Sequence, residues 1–344
     1  MARFGGLVAS DLQDVTSDPA ALDSSGFWAV SADFEGRLVC ARFAAVRTEA
    51  VPAPVRGAWC GPAPGDWISS LDRAAYTAGV RRIREYIAAG EVYQANLCRV
   101  MTAALPDLAA ADMDALTALL ARGNPAPYAG TIRLPAHGVE IATASPELFL
   151  RRDGRIVESG PIKGTGRTED DLLEKDHAEN VMIVDLVRND LGRVCATGSV
   201  TVPDLCVVEK HPGLVHLVST VRGELAEGAG WPELLDAAFP PGSVTGAPKS
   251  SALRIIEELE TAPRGPYCGG IGWVDADRRT ASLAVGIRTF WIDRTRTAPV
   301  LRFGTGAGIT WGSDPEREWD ETELKASRLL AVASGVYEAT GRTA

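Results

Sequence analysis

Apolar and polar residues alternate along the first fifty positions, as in "GFWAVSADFEGRLVCARFAAV", and that period of two predicts strands joined at Glu35-Gly36. The Pro- and Gly-rich run 51–67 then reads as a linker. The pattern changes in "SSLDRAAYTAGVRRIREYIAAG", which predicts a helix with Ser or Asp near its start and Gly90 at its end. Residues 140–163 read as a hairpin turning at Asp153-Gly154. "AENVMIVDLVRNDLG" has helical length, a continuous apolar stripe and a closing Gly192, and "APKSSALRIIEELE" predicts another helix with Pro248 near its first turn. Strands follow at "GGIGWVD", "ASLAVGIRTFWI" and "VLRFGTGAG". "DPEREWDETELKASRLLAVASGV" reads as an acidic-to-basic closing helix. Strands come in clusters rather than in strict alternation with helices, which favours an α+β fold over a doubly wound parallel sheet. The expected organisation is a shortened strand-rich N-terminal segment with its linker, 1–66, and a core over 67–344 as one compact unit.

Composition narrows the classes of function. The 344 residues are 46% hydrophobic and 23% charged, as in an ordinary soluble globular protein. A formal net charge of −10 argues against a general nucleic-acid or anionic-membrane binder. It also requires that any anionic ligand be held by local cations. The six cysteines are scattered, with no C-x-x-C and no His at metal-ligand spacing, which suits a reducing cytosol. The start lacks the apolar run of a signal peptide, and no run of about 18 apolar residues occurs, so a cytoplasmic protein is expected.

Two glycine-rich stretches resemble nucleotide loops and fail their tests. "GSVTGAPKSS" lacks Gly-Lys-Ser/Thr in succession, and Pro248 has no N–H to offer a phosphate. "FGTGAG" has no helix directly after it, although a turn of that kind would still expose N–H groups to a carboxylate. Glu318, Glu321 and Lys325 share one helix face, either as solvated ion pairs or as part of a site. Glu179 opens another, largely apolar helix, and three converging glutamates would make an oxygen-only site suited to Mg²⁺. Lys163 stands between helix breakers in "SGPIKGTGRT", where a solvated lysine is the ordinary reading. The predicted turn pairs Lys163 with Ala144, about 10 Å along the strand from Glu147 and on the opposite face. Pro146 and Pro161 interrupt that ladder, so spacing leaves open whether the two meet. His216 reads as a core histidine or a site residue. Arg288, a charge in an apolar run, must meet an internal carboxylate or an anionic ligand.

Ten strings, among them "VYQANL", "SPELF", "PIKGT", "AENVMIVDLVRNDLGRV", "HPGLVHLVS", "GSVTGAPK", "AVGIRTF", "GTGAGI" and "DPEREWDETELKA", resemble in order the chorismate-utilising enzymes. That family comprises anthranilate synthase component I, aminodeoxychorismate synthase component I, isochorismate synthase and salicylate synthase. The resemblance covers residues from about 76 to 327, roughly three quarters of the chain. It implies the anthranilate synthase component I-like α+β fold, with antiparallel sheets packed inside and helices outside, and an Mg²⁺-dependent site for chorismate.

The same resemblance assigns roles. Lys163 matches the lysine of the aminodeoxychorismate branch, whose amine attacks C2 of chorismate as the C4 hydroxyl leaves; ammonia then adds at C4 and expels the lysine. Glu147 matches the general acid for that hydroxyl, and His216 an active-site histidine. Glu179, Glu318 and Glu321 fall on the metal-ligand positions. Arg288, Lys325, Gly164, Thr165, Gly306, Ala307 and Gly308 fall on the carboxylate-binding ones. Gln94 stands where isochorismate and salicylate synthases carry a water-activating lysine, and a neutral amide cannot take that proton. The implied activity is amination of chorismate to 4-amino-4-deoxychorismate, toward 4-aminobenzoate and folate. No cysteine lies in a G-x-C-x-G elbow, so ammonia is expected from a separate glutamine amidotransferase subunit. Anthranilate synthase component I, and a catalytically silent chorismate-binding subunit, are the alternatives. The "LLES" string typical of the tryptophan feedback site in anthranilate synthases is missing, in agreement with Lys163, and the chain departs from the family in a short segment between Lys163 and Glu179, in Trp319 where tyrosine is common, and in a short, trimmed part before the core.

Overall fold

The computed structural model describes residues 1–49, 59–123, 125–166, 168–211, 214–295 and 298–336; most of the expected linker, 50–58, lies outside the described residues. The chain opens with β1 (Ala2–Phe4), β2 (Leu7–Thr16), β3 (Phe27–Ala32), β4 (Leu38–Thr48) and the short β5 (Ile68–Ser69). Helix α1 (Arg73–Ala88) starts where the Asp72 carboxylate accepts the Ala75 N–H at 2.8 Å, an N-cap that satisfies a free helix donor. Then come β6 (Gln94–Ala104), α2 (Met113–Gly123), β7 (Tyr128–Leu134), β8 (Val139–Ser145), β9 (Leu148–Asp153), β10 (Ile156–Gly160) and β11 (Ile162–Gly166). The middle of the chain forms α3 (Glu174–Gly192), β12 (Thr201–His211), β13 (Leu214–Glu224) and α4 (Trp231–Ala238). It closes with β14 (Gly246–Ala247), α5 (Lys249–Leu259), β15 (Gly270–Asp275), β16 (Thr280–Val285), β17 (Thr289–Asp293), β18 (Val300–Ile309) and α6 (Pro315–Ala333).

Every strand pairing among the described residues is antiparallel. The ladder runs β6, β18, β17, β8, β7, β1, β2, β4, β3, β15, β16, β9, β10, β13, β12. β11 continues beside β13 beyond the end of β10, and β14 and β5 lie on the outer edge of β6. The N-terminal strands share this ladder, because β1 pairs with β7 and β3 with β15.

Alternation along the strands divides the core. Cys98, Val100, Ile132 and Ile141 pack with Phe4, Trp28, Val30, Leu150, Ile271 and Leu283 from the other half of the ladder. The opposite face, with Met101, Ala142, Phe290 and Phe303, lies under Leu116 and Leu120 of α2 and Leu329 of α6. Farther along, Ala95, Leu97, Ala307 and Ile309 lie under Tyr76 and Val80 of α1 and Ile255 of α5. Antiparallel strands are inside and helices outside, the α+β arrangement that the sequence predicted. No helix among the described residues is long and apolar enough to cross a membrane.

Four local expectations are corrected. The β9–β10 hairpin turns one residue later than expected, with Asp153 opposite Ile156. Its ladder bulges between Glu158 and Gly160 and the chain then passes to β13, so Lys163 never pairs with Ala144, whose partner is Ala129. The run 281–292 is two strands, broken at Gly286–Arg288, where Arg288 adopts φ +52. "FGTGAG" is part of the regular strand β18 rather than a turn. Helix α3 begins at Glu174, which puts Glu179 in its second turn instead of at its opening.

Candidate active site

The crossing from β8 to β9 carries Glu147. Ser145 braces it: its hydroxyl donates to the Val285 carbonyl at 2.6 Å and accepts the Glu147 N–H at 3.2 Å, while the Val285 N–H donates to the Glu147 carbonyl at 3.0 Å. Beside it, β11 kinks through Gly164, whose φ of +78 and 2.9 Å clearance between a notional Cβ and the Asp176 side chain exclude larger residues. That kink, with the bulge between Ile162 and Thr165, sets the direction of Lys163.

Glu147 and Lys163 meet on one residue, Ser243. The Lys163 Nζ donates to the Ser243 carbonyl at 3.3 Å, and the Ser243 hydroxyl and the Ile162 N–H donate to the Glu147 carboxylate. Glu147 is 4% exposed, and burial pushes its carboxyl up to about 7 against the opposing pull of Ser243, Lys163 and Ile162. Burial holds Lys163 below the usual lysine range, with Lys325 acting in the same sense, while Glu179, Glu147 and Glu321 oppose it. A buried acid driven toward its protonated form thus adjoins an amine driven toward its neutral form. Such a pair can donate a proton and attack as a nucleophile.

Glu179, Glu318 and Glu321 form the second component. Burial raises Glu179, and so does the Glu321 charge, though Lys163 and Lys175 offset it. Burial likewise raises Glu318, against a hydrogen bond from Ser313. Burial also acts upward on Glu321, but Lys325, Lys175 and Lys163 outweigh it, and the group lies below the usual carboxylate range. Lys325 is 2.6 Å from Glu321 and donates to the Gly306 carbonyl at 3.1 Å. Among the described residues no three His, Cys, Asp or Glu side chains stand close enough together to hold a metal ion. The donor chemistry nevertheless fits a hard divalent cation: three partly buried carboxylates repel one another and are presently offset by lysines.

Gln94 begins β6 and is fully buried; its Nε2 donates to Asn96 Oδ1 at 3.3 Å, and its Oε1 is buried without a partner. A side chain at Gly308 would run into the Gln94 amide. Gly306, Ala307 and Gly308 pair with Cys98, Leu97 and Asn96, and β17 does not reach that far along β18. Arg288 follows the break after β16, its carbonyl accepting the Ala144 N–H at 3.0 Å, and burial holds its guanidinium below the usual value. His216 is buried on β13 opposite Thr165 and Glu209.

Three participants escaped the sequence reading. Ser243 lies in the recognised string "GSVTGAPK", but its link to Lys163 is a backbone carbonyl, for which no side-chain signature exists. Asn96, two residues from Gln94 on the same strand face, donates to that carbonyl at 3.3 Å. Lys175 stands one helical turn before Glu179, a spacing visible in the sequence, and its charge reaches all three glutamates.

Comparison with known proteins agrees with this architecture. The pattern of the chorismate binding enzyme family matches residues 26–331. Anthranilate synthase component 1 of Haloarcula marismortui is 40% identical over 286 residues, covering 80% of this chain and 56% of that protein. Aminodeoxychorismate synthase component 1 of Salmonella typhimurium is 38% identical over 276 residues, covering 77% of this chain and 58% of that protein. The chain therefore spans a little over half the length of these relatives. The crystal structure of anthranilate synthase component I from Streptococcus pneumoniae superposes with a TM-score of 0.79 over 95% of this chain and 92% of that one, at 23% identity, a likeness of fold. The family match over nearly the whole chain identifies it as a member of the chorismate binding enzymes.

Proposed function

We propose that this chain is the chorismate-aminating component of an aminodeoxychorismate synthase. The observation that carries the reading is Lys163 beside Glu147, both driven toward neutrality. In the proposed reaction the Lys163 amine bonds to C2 of chorismate, both double bonds of the ring diene shift, and the C4 hydroxyl leaves as water with the Glu147 proton. Ammonia then bonds to C4, both double bonds shift back, and the lysine leaves C2. Arg288 and Lys325 would hold the substrate carboxylates, with N–H groups around Thr165 and Gly306–Gly308 assisting. The unpartnered Gln94 Oε1 offers ammonia a buried acceptor and, being an amide, cannot activate water. His216 would complete the wall of the site. Glu179, Glu318 and Glu321 would hold Mg²⁺, which when bound would neutralise charge on the ring carboxylate.

Ammonia would come from a glutamine amidotransferase partner, in the cytoplasm. Anthranilate synthase component I is the second reading, favoured by relatives of that name at 40% identity against 38%. Chorismate turnover with Mg²⁺ and ammonium, its products resolved by mass spectrometry, separates them. 4-Amino-4-deoxychorismate from the wild type, reduced at least about 10²-fold in Lys163→Ala, is the expected result. Anthranilate from the wild type would overturn the reading.

A further inference from the structure

Between the two glutamates of α6 the chain carries Trp319, and beneath it lies an arginine that the proposed chemistry does not use. Arg99, on β6, is 1% exposed. Its guanidinium lies 4.2 Å from the Trp319 ring centroid, and Trp319 is backed on another side by Tyr76 at 5.7 Å. Nε donates to the Thr322 hydroxyl at 3.0 Å, Nη1 to the Ser69 hydroxyl at 3.1 Å, and Nη2 pairs with Glu323. From β18, Thr305 donates to the Thr322 carbonyl at 3.1 Å.

These contacts fall at positions 319, 322 and 323 of α6. Glu318, Glu321 and Lys325 occupy the neighbouring stripe of the same helix. One buried cation therefore grips the turn that carries both glutamates through three side chains, and it is anchored in the long strand β6. A planar guanidinium can stack on an aromatic face while its edge donates to several acceptors; an ammonium cannot do both. Removing it frees α6 to rotate about its axis, and rotation moves Glu318 and Glu321 relative to Glu179, which sits on a different element.

We propose that Arg99, acting through Trp319 and Thr322, is a positioning residue that sets the rotation of α6 and so the placement of Glu318 and Glu321 relative to Glu179 for a divalent cation. The inference rests on the proposed metal-binding role of those glutamates. Groups that orient metal ligands from behind typically contribute 10- to 100-fold in metal affinity, and the lower end suits contacts made through the helix.

Mn²⁺ binding to the purified protein, read from the electron paramagnetic resonance of free Mn²⁺, tests this without reference to turnover. Arg99→Met and Trp319→Leu should each weaken Mn²⁺ binding about tenfold, while Trp319→Tyr, which keeps an aromatic face for the guanidinium, should stay within about twofold of wild type. The Mg²⁺ concentration for half-maximal turnover should rise in parallel, with the chorismate KM at saturating Mg²⁺ little changed. Trp319 is only half-buried, so Trp319→Leu remains informative if Arg99→Met does not fold. Wild-type Mn²⁺ affinity in folded Trp319→Leu and Arg99→Met would overturn the positioning role and leave the metal reading intact. No Mn²⁺ binding by the wild type would overturn both.

Discussion

Glu147 and Lys163 respond to the same desolvation with opposite shifts, and the pH dependence follows from that. The proposed reaction requires a neutral Lys163 and a protonated Glu147. Rate should rise as Lys163 loses its proton and fall as Glu147 ionises, giving a bell whose alkaline limb belongs to Glu147. Glu147→Gln should remove that limb and slow turnover by about 10²- to 10⁴-fold, measured as kcat/KM across pH. The same group affects stability. A carboxyl whose folded value is raised contributes fully below the ordinary carboxylate range, and that contribution is lost as pH rises toward about 7. Glu147→Gln should therefore gain on the wild type in thermal melts as pH rises, by on the order of 1–3 kcal/mol. The resemblance made Lys163 and Glu147 visible in the sequence. Their ionisation was not, because it depends on Ser243 and on burial created by strands distant in the chain.

Helix α3 carries Glu179, and two contacts fix it. Asn180 donates to the Leu217 carbonyl of β13 at 3.1 Å, and Asp190 takes the Lys249 ammonium of α5 at 2.7 Å, with both partners largely buried. Lys249 also donates to the Ala238 carbonyl at the end of α4 at 3.0 Å, so one lysine links three helices. Lys249→Met leaves the Asp190 carboxylate buried without its partner and should cost about 3–5 kcal/mol in denaturant unfolding, against under about 1 kcal/mol for exposed Arg188→Met. Elements of this kind, with apolar stripes of helical length, were readable: α1, α3, α5 and α6 lie where the sequence put them, within a turn. The β12–β13 ribbon was not, since Pro203, the positive φ of Cys206 and two register shifts break its alternation. The hairpin register failed for a related reason, because a bulge and Pro161 redirect the strand before it reaches Lys163.

Across the whole molecule, a single antiparallel ladder carries Asn96, Glu147 and Lys163 from distant positions in the chain, and all three meet on Ser243. The N-terminal strands are integral to that ladder. Deleting residues 1–49 would expose the β3-facing edge of β15 and the β1-facing edge of β7, and the remainder should aggregate rather than fold, checked by size-exclusion chromatography of the truncated protein. With a net charge of −10, the molecule as a whole would repel a dicarboxylate, so the proposed function requires local cations such as Arg288, Lys325 and Lys175. The covalent role of Lys163 can be tested by incubating the protein with chorismate and Mg²⁺ in the absence of ammonia and measuring intact and peptide masses. A gain equal to chorismate less one water, confined to the peptide containing Lys163 and absent from Glu147→Gln, is the expected result. An unmodified protein that still aminates chorismate once ammonium is added would contradict it.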